Sequence, residues 1–137
     1  MLAQSLIVAS AAILFLFGSL HAFYTFASNK FSPRDPELEQ RLKAVSPVIS
    51  RQTTMWKAWV GFNASHSLGA ILFGAVYIYL SLYHALLLFQ SYFLLGLGVI
   101  VLIAYLIVAK LYWFSAPLRG IALALGFYLA AIVASRL

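Results

Sequence analysis

A chain of 137 residues that is 64% hydrophobic and 9% charged, with a mean hydropathy of +0.98, lacks the surface of a water-facing domain, which ordinarily needs about 25% charged residues. Its net charge of +6 is not the footprint of a nucleic-acid binder: six of the nine basic residues fall in or just after one loop that holds all three acids, Asp35, Glu37 and Glu39, and anionic lipid headgroups explain the excess more simply. The absence of cysteine excludes disulfide scaffolds, thiolate zinc sites, iron–sulfur clusters and cysteine nucleophiles.

Three stretches carry no charged side chain: Met1 to Asn29, Ala58 to Ala109, and Gly120 to Ser135. The middle one, 52 residues, would form a helix of about 78 Å against a hydrocarbon core of about 30 Å, so it must fold back once. The expected fold is all-α, a single membrane domain built as a bundle of four transmembrane helices. The spans fall at about 3–26, 54–82, 92–109 and 117–136, with a connecting loop at 27–53.

The first span lacks the basic leader of a cleavable signal, and Gly18 to His21 makes a weak cleavage site, so it is expected to remain a mature helix. In the loop that follows, Asp35-Pro36-Glu37 reads as N-cap, first-turn proline and acidic first turn of a short helix that ends before Pro47. Glu37 with Arg41 and Glu39 with Lys43 are i,i+4 pairs in the favourable order, and Leu38, Leu42 and Val45 share the other face. The second span begins through Trp56 and Trp59 and leaves through Tyr77, Tyr79 and Tyr83, as aromatic anchoring at both interfaces would have it. A return turn is expected between Tyr83 and Tyr92. The fourth span should start near Pro117 with Ser115 as its N-cap.

Orientation follows from the basic residues. Lys30, Arg34, Arg41, Lys43 and Arg51 lie between spans one and two with Lys57 at the start of the second, Lys110 and Arg119 flank the connection between three and four, and only Arg136 lies on the other side. The positive-inside rule then puts both loops in the cytoplasm and both termini outside. Packing is expected through two ridges of small residues, Ala122, Gly126, Ala130 and Ala134 on the fourth helix and Gly61, Ser65 and Gly69 on the second; the same ridges suit a homodimer.

The candidate chemistry gathers near the loop-side ends of the first two spans. Trp59, Asn63, His66 and Ala70 share one face of the second helix, with Ser67 at its edge. Gly18, His21, Ala22 and Thr25 share a face of the first, with Tyr24 one turn after His21. Histidine and asparagine at membrane depth serve either as hydrogen-bond glue between helices or as a site. A pocket for a polar headgroup or small amphiphile would be lined by His21, Tyr24, Trp59, Asn63, His66 and Ser67, with Arg51 and Arg119 as anionic anchors. Bis-histidine haem ligation and catalysis by a neutral imidazole are the alternatives. No metal site is expected, because His84 belongs to the opposite membrane face and two imidazoles alone hold zinc poorly. A serine triad fails because neighbouring helix positions diverge and no acid lies within the spans.

The run MWKAWVGFNASHSLGAILFG from Met55 to Gly74, the GSLH of Gly18 to His21, and the loop FSPRDPELEQRLKAVSPVISRQTT resemble a group of small bacterial four-helix integral membrane proteins. The resemblance covers most of the chain and implies a bacterial origin, hence the inner (cytoplasmic) membrane, and the same fold; it implies no particular activity, cofactor or ligand. Two functions remain open. The favoured one is a non-enzymatic membrane protein that binds a lipid or small amphiphile, or serves as an accessory subunit of a larger complex or homo-oligomer. The alternative is a small intramembrane enzyme or haem/redox protein using His21 and His66.

Overall fold

The computed structural model describes residues 1–137 and is all-α, with no strand. Its helices are α1 (Leu2–Ala27), α2 (Pro36–Ala44), α3 (Met55–Tyr83), α4 (Ala85–Gln90), α5 (Tyr92–Tyr112) and α6 (Ser115–Ala134). Four of them, α1, α3, α5 and α6, are long and apolar enough to cross a membrane. The chain forms two compact units, one of Met1–Phe17 with Ala70–Leu137, the other of Gly18–Gly69.

The first unit has a core contributed by every helix in it: Ile7, Ala11 and Leu14 from α1, Phe73 and Tyr77 from α3, Leu88 from α4, Leu95 and Leu102 from α5, Ala124, Tyr128 and Ala131 from α6. Outward positions such as Leu72, Ile100, Ile103, Ile107, Leu123 and Val133 are equally apolar and exposed, so burial alone does not separate inside from outside. The separation is made by polarity and size. Inward hydroxyls find helix carbonyls: Ser10 Oγ donates to Ala124 O at 2.7 Å, Tyr77 Oη to Leu94 O at 2.6 Å, and Ser81 Oγ to Gln4 O at 3.0 Å while Gln4 Nε2 donates to Ser81 O at 3.2 Å. In lipid, where apolar contact gives no preference for another helix over an acyl chain, such bonds and close packing set the pairing.

Glycines mark the closest approaches. A Cβ added at Gly74 would lie 2.6 Å from Phe15 Cβ and 2.7 Å from Ala11 O, so α3 and α1 meet there almost backbone to backbone. Gly98 of α5 opens the slot that takes the ring of Tyr128, and Gly120 of α6 receives the ring of Phe17.

The small-residue ridges expected to pack are turned outward instead. Ala122, Gly126 and Ala130 are exposed while Ala134 at the end of the ridge is half-buried; Gly61, Ser65 and Gly69 are exposed too, and a Cβ at Gly61 or Gly126 would meet nothing within 4 Å. The inward face of α6 is Ile121, Ala124, Tyr128 and Ala131. Tyr128 needs a glycine opposite, Gly98 supplies it, and seating that ring rotates the ridge away.

Element ends differ from expectation in three places. The return between Tyr83 and Tyr92 is not a bare turn but holds α4: the chain breaks at His84 and again at Ser91, which closes α4 and whose Oγ caps α5 by accepting from Leu94 N at 3.2 Å. Helix α5 runs on to Tyr112 rather than stopping at Ala109. Helix α6 opens at Ser115 with Phe114 in the cap position, so Ser115 is already helical and caps nothing.

Candidate functional site

The second unit holds the last turns of α1, the whole of α2, the first half of α3 and the loops between them. Helix α1 ends at Ala27, where Ser28 Oγ bonds back to Tyr24 O at 2.9 Å and also accepts from Lys30 N at 3.2 Å. A turn from Asn29 to Ser32, closed by Ser32 N to Asn29 O at 3.0 Å, then sends Phe31 back against the end of α1. Its ring lies on that of His21, with centroids 4.4 Å apart, and its carbonyl accepts from Trp59 Nε1 at 3.0 Å. Lys30 sits over the ring of Tyr24 at 5.4 Å.

Beneath Phe31 lies the polar cluster. His21 Nε2 and Asn63 Oδ1 are 2.9 Å apart, and the rings of His21 and His66 meet edge to face with centroids 5.0 Å apart. The asparagine amide is oriented by its other end, since Nδ2 donates to Trp59 O at 2.8 Å. Its Oδ1 is then an acceptor only, so Nε2 of His21 must carry the proton, and in the neutral ring the basic nitrogen is Nδ1. Asn63 is buried and both imidazoles are half-buried.

The remaining site residues separate into those at the cluster and those away from it. Trp59 joins it through its carbonyl and through the bond to Phe31, while Tyr24 reaches it only by way of Phe31, the two rings 6.5 Å apart. Ser67 is buried, but its hydroxyl is spent on Asn63 O at 2.8 Å, a bond within its own helix that offers nothing to a ligand. Thr25 likewise bonds back to His21 O at 2.8 Å. Arg51 is exposed in the loop before α3 and does not line the crevice described next, and Arg119 is exposed near the start of α6, in the other unit.

Above the cluster a crevice is lined by Thr25, Ser28, Phe31, Ser32, Trp56, Trp59, Val60 and Asn63. The space it encloses is only about 20 Å³, room for a water-sized group and not for a whole small molecule. Phe31, Ser32, Ser28 and Trp56 were not read from the sequence as site residues. Helical periodicity places His21 and Asn63, but carries no signal for a loop phenylalanine folding back on them.

Comparison with protein-family models, curated proteins and solved structures finds no match to the chain.

Proposed function

We propose that this chain is a four-span protein of a bacterial cytoplasmic membrane, non-enzymatic, that holds the polar end of a lipid or small amphiphile in the crevice above His21, Asn63 and His66, alone or as a subunit of a larger membrane assembly. The observation that carries the reading is an open, aromatic-walled crevice that reaches the buried amide of Asn63, behind which the two imidazoles lie without lining it themselves. An acyl chain would lie along exposed apolar helix surface while the headgroup meets Asn63, whose amide nitrogen keeps one hydrogen beyond that given to Trp59 O, between the rings of Phe31, Trp56 and Trp59. Haem ligation by the two histidines is less well supported: the rings meet edge to face at 5.0 Å, without a porphyrin plane's width between them, and Nε2 of His21 is engaged by Asn63.

Mass spectrometry of lipids co-purifying with the chain tests the reading. The wild type should carry an enriched amphiphile that His66→Leu and the milder His66→Gln lose while helical content is retained, since one interhelical hydrogen bond is worth under about 2 kcal/mol. Unchanged lipid content in both variants would leave the cluster a purely structural role, and a haem absorption band in the purified protein would favour the alternative.

Eight basic residues lie in or beside the α1–α3 and α5–α6 connections, against Arg136 near the C-terminus, which supports cytoplasmic connections and external termini. Because the chain has no cysteine, Arg136→Cys and Gln52→Cys report sidedness without background. In intact cells an impermeant maleimide should label position 136 and spare position 52; the reverse pattern would overturn the orientation.

A further inference from the structure

The segment from Val45 to Met55 is a closed loop with an unusual tip. Its base is fixed by Met55 N donating to Val45 O at 2.8 Å, with Lys43 seated over the ring of Trp56 at 5.2 Å just outside it. Its tip is a turn from Pro47 to Ser50, closed by Ser50 N to Pro47 O at 3.2 Å, and Ser50 Oγ then accepts from Gln52 N at 3.1 Å. The two central turn residues are Val48 and Ile49, at 109% and 93% of their reference exposure.

Central turn positions ordinarily go to glycine, proline, asparagine, aspartate or serine, each for a conformational reason. Two β-branched apolar side chains there serve neither the turn nor any core of this chain. The neighbouring α2 repeats the pattern on a smaller scale: it buries no residue, and Leu38 and Val45 stay half-exposed. Arg51 is the only charged residue between Val45 and Met55, Lys57 follows on α3, and no acidic residue occurs anywhere after Glu39.

We propose that this loop is an interfacial finger: Val48 and Ile49 enter the headgroup region of the bilayer and Arg51 pairs with anionic phospholipid. The inference rests on reading α1 and α3 as membrane spans. An apolar tip followed by a lone cation has the chemistry of an anionic lipid surface, where apolar burial and electrostatic attraction add. The tryptophans of the first turns of α3, Trp56 and Trp59, are the residue type that sits at the same level of a bilayer. The finger would hold the α1–α3 connection down against the membrane beside the crevice, fixing the height at which a lipid headgroup is met.

The test uses the full-length chain carrying an environment-sensitive nitrobenzoxadiazole label at Ile49→Cys or, as reference, at the exposed Gln52→Cys. Each is reconstituted in vesicles of phosphatidylcholine alone or with phosphatidylglycerol. Position 49 should emit at shorter wavelength than position 52, be quenched by spin-labelled lipid and resist aqueous acrylamide, with all three effects stronger when phosphatidylglycerol is present. Equal acrylamide quenching at both positions in both membranes would overturn the finger. So would shielding of position 49 that ignores lipid composition and grows with protein-to-lipid ratio, which would mean that a second copy covers the tip. Release of the protein by alkaline carbonate would instead sink the reading of the helices as spans, so the two failures are distinguishable.

Discussion

Tyr128→Ala is expected to destabilise the chain by about 3–5 kcal/mol, the range for removing a buried aromatic ring. Tyr128 is wholly buried, its ring 5.6 Å from that of Tyr77 at a near-perpendicular angle and its tip in the slot opened by Gly98. Nothing nearby is free to collapse into the space, because the surrounding positions belong to helices already pinned by Tyr77 Oη on Leu94 O and Ser10 Oγ on Ala124 O. The hydroxyl itself matters less: it lies 3.5 Å from Leu94 O and 3.3 Å from Leu95 O, long for O–H donation. Tyr128→Phe should therefore cost under about 1 kcal/mol. Denaturation in detergent, followed by near-ultraviolet circular dichroism, separates the two variants; similar losses would assign the role to the hydroxyl rather than the ring.

Gly74→Ala should be damaging for the opposite reason. The added methyl would meet Phe15 Cβ at 2.6 Å, Ala11 O at 2.7 Å and Phe15 Cα at 2.9 Å, none of which belongs to the movable end of a side chain. The helices must separate, and with them the contacts of Ala11 and Leu14 that make the core of α1. A cost of roughly 3 kcal/mol, the upper part of the overpacking range, is expected. Trimming Phe15 to Ala would bring no relief, because Cβ and Cα remain. At Gly98, by contrast, the obstacle is the Tyr128 ring, so Gly98→Ala should add little further loss on top of Tyr128→Ala. Gly61→Ala and Gly126→Ala, with nothing within 4 Å, should stay within about 0.5 kcal/mol of wild type. If Gly74→Ala proved as harmless as Gly61→Ala, the close crossing of α1 and α3 would be wrong.

That contrast also shows what the sequence discloses and what it withholds. Charge-free length identifies the long helices to within a few residues, because a membrane demands uninterrupted apolar runs. Local chemistry identifies the cap of α2: Asp35 accepts from Glu37 N at 2.9 Å with Pro36 following, and Glu39 pairs with Lys43, although Glu37 and Arg41 do not close their pair. Helical spacing puts Trp59, Asn63, His66 and Ala70 on one face, of which Asn63 and Ala70 are buried, His66 is half-buried and Trp59 is exposed. Rotation of α6 was not legible, since in an apolar helix every face looks alike and the decision lay with one tyrosine finding one glycine thirty residues earlier in the chain. Helix α4 was hidden for a related reason: ALLLF continues the apolar run, and the break at His84 comes without glycine or proline. Phe31 was hidden because a loop residue's destination has no period.

Only Trp113 and Phe114 separate α5 from α6, a tether that reaches about 10 Å, one interaxial spacing. The pair is thus kept together by covalent connection from the moment it is made, and the encounter of Tyr128 with Gly98 costs little loop entropy. Docking of α1 is a different matter, for Ser10 must find a carbonyl 114 residues away. By sequence separation alone the C-terminal hairpin is expected to form first and the N-terminal helix, though synthesised first, to lock in last.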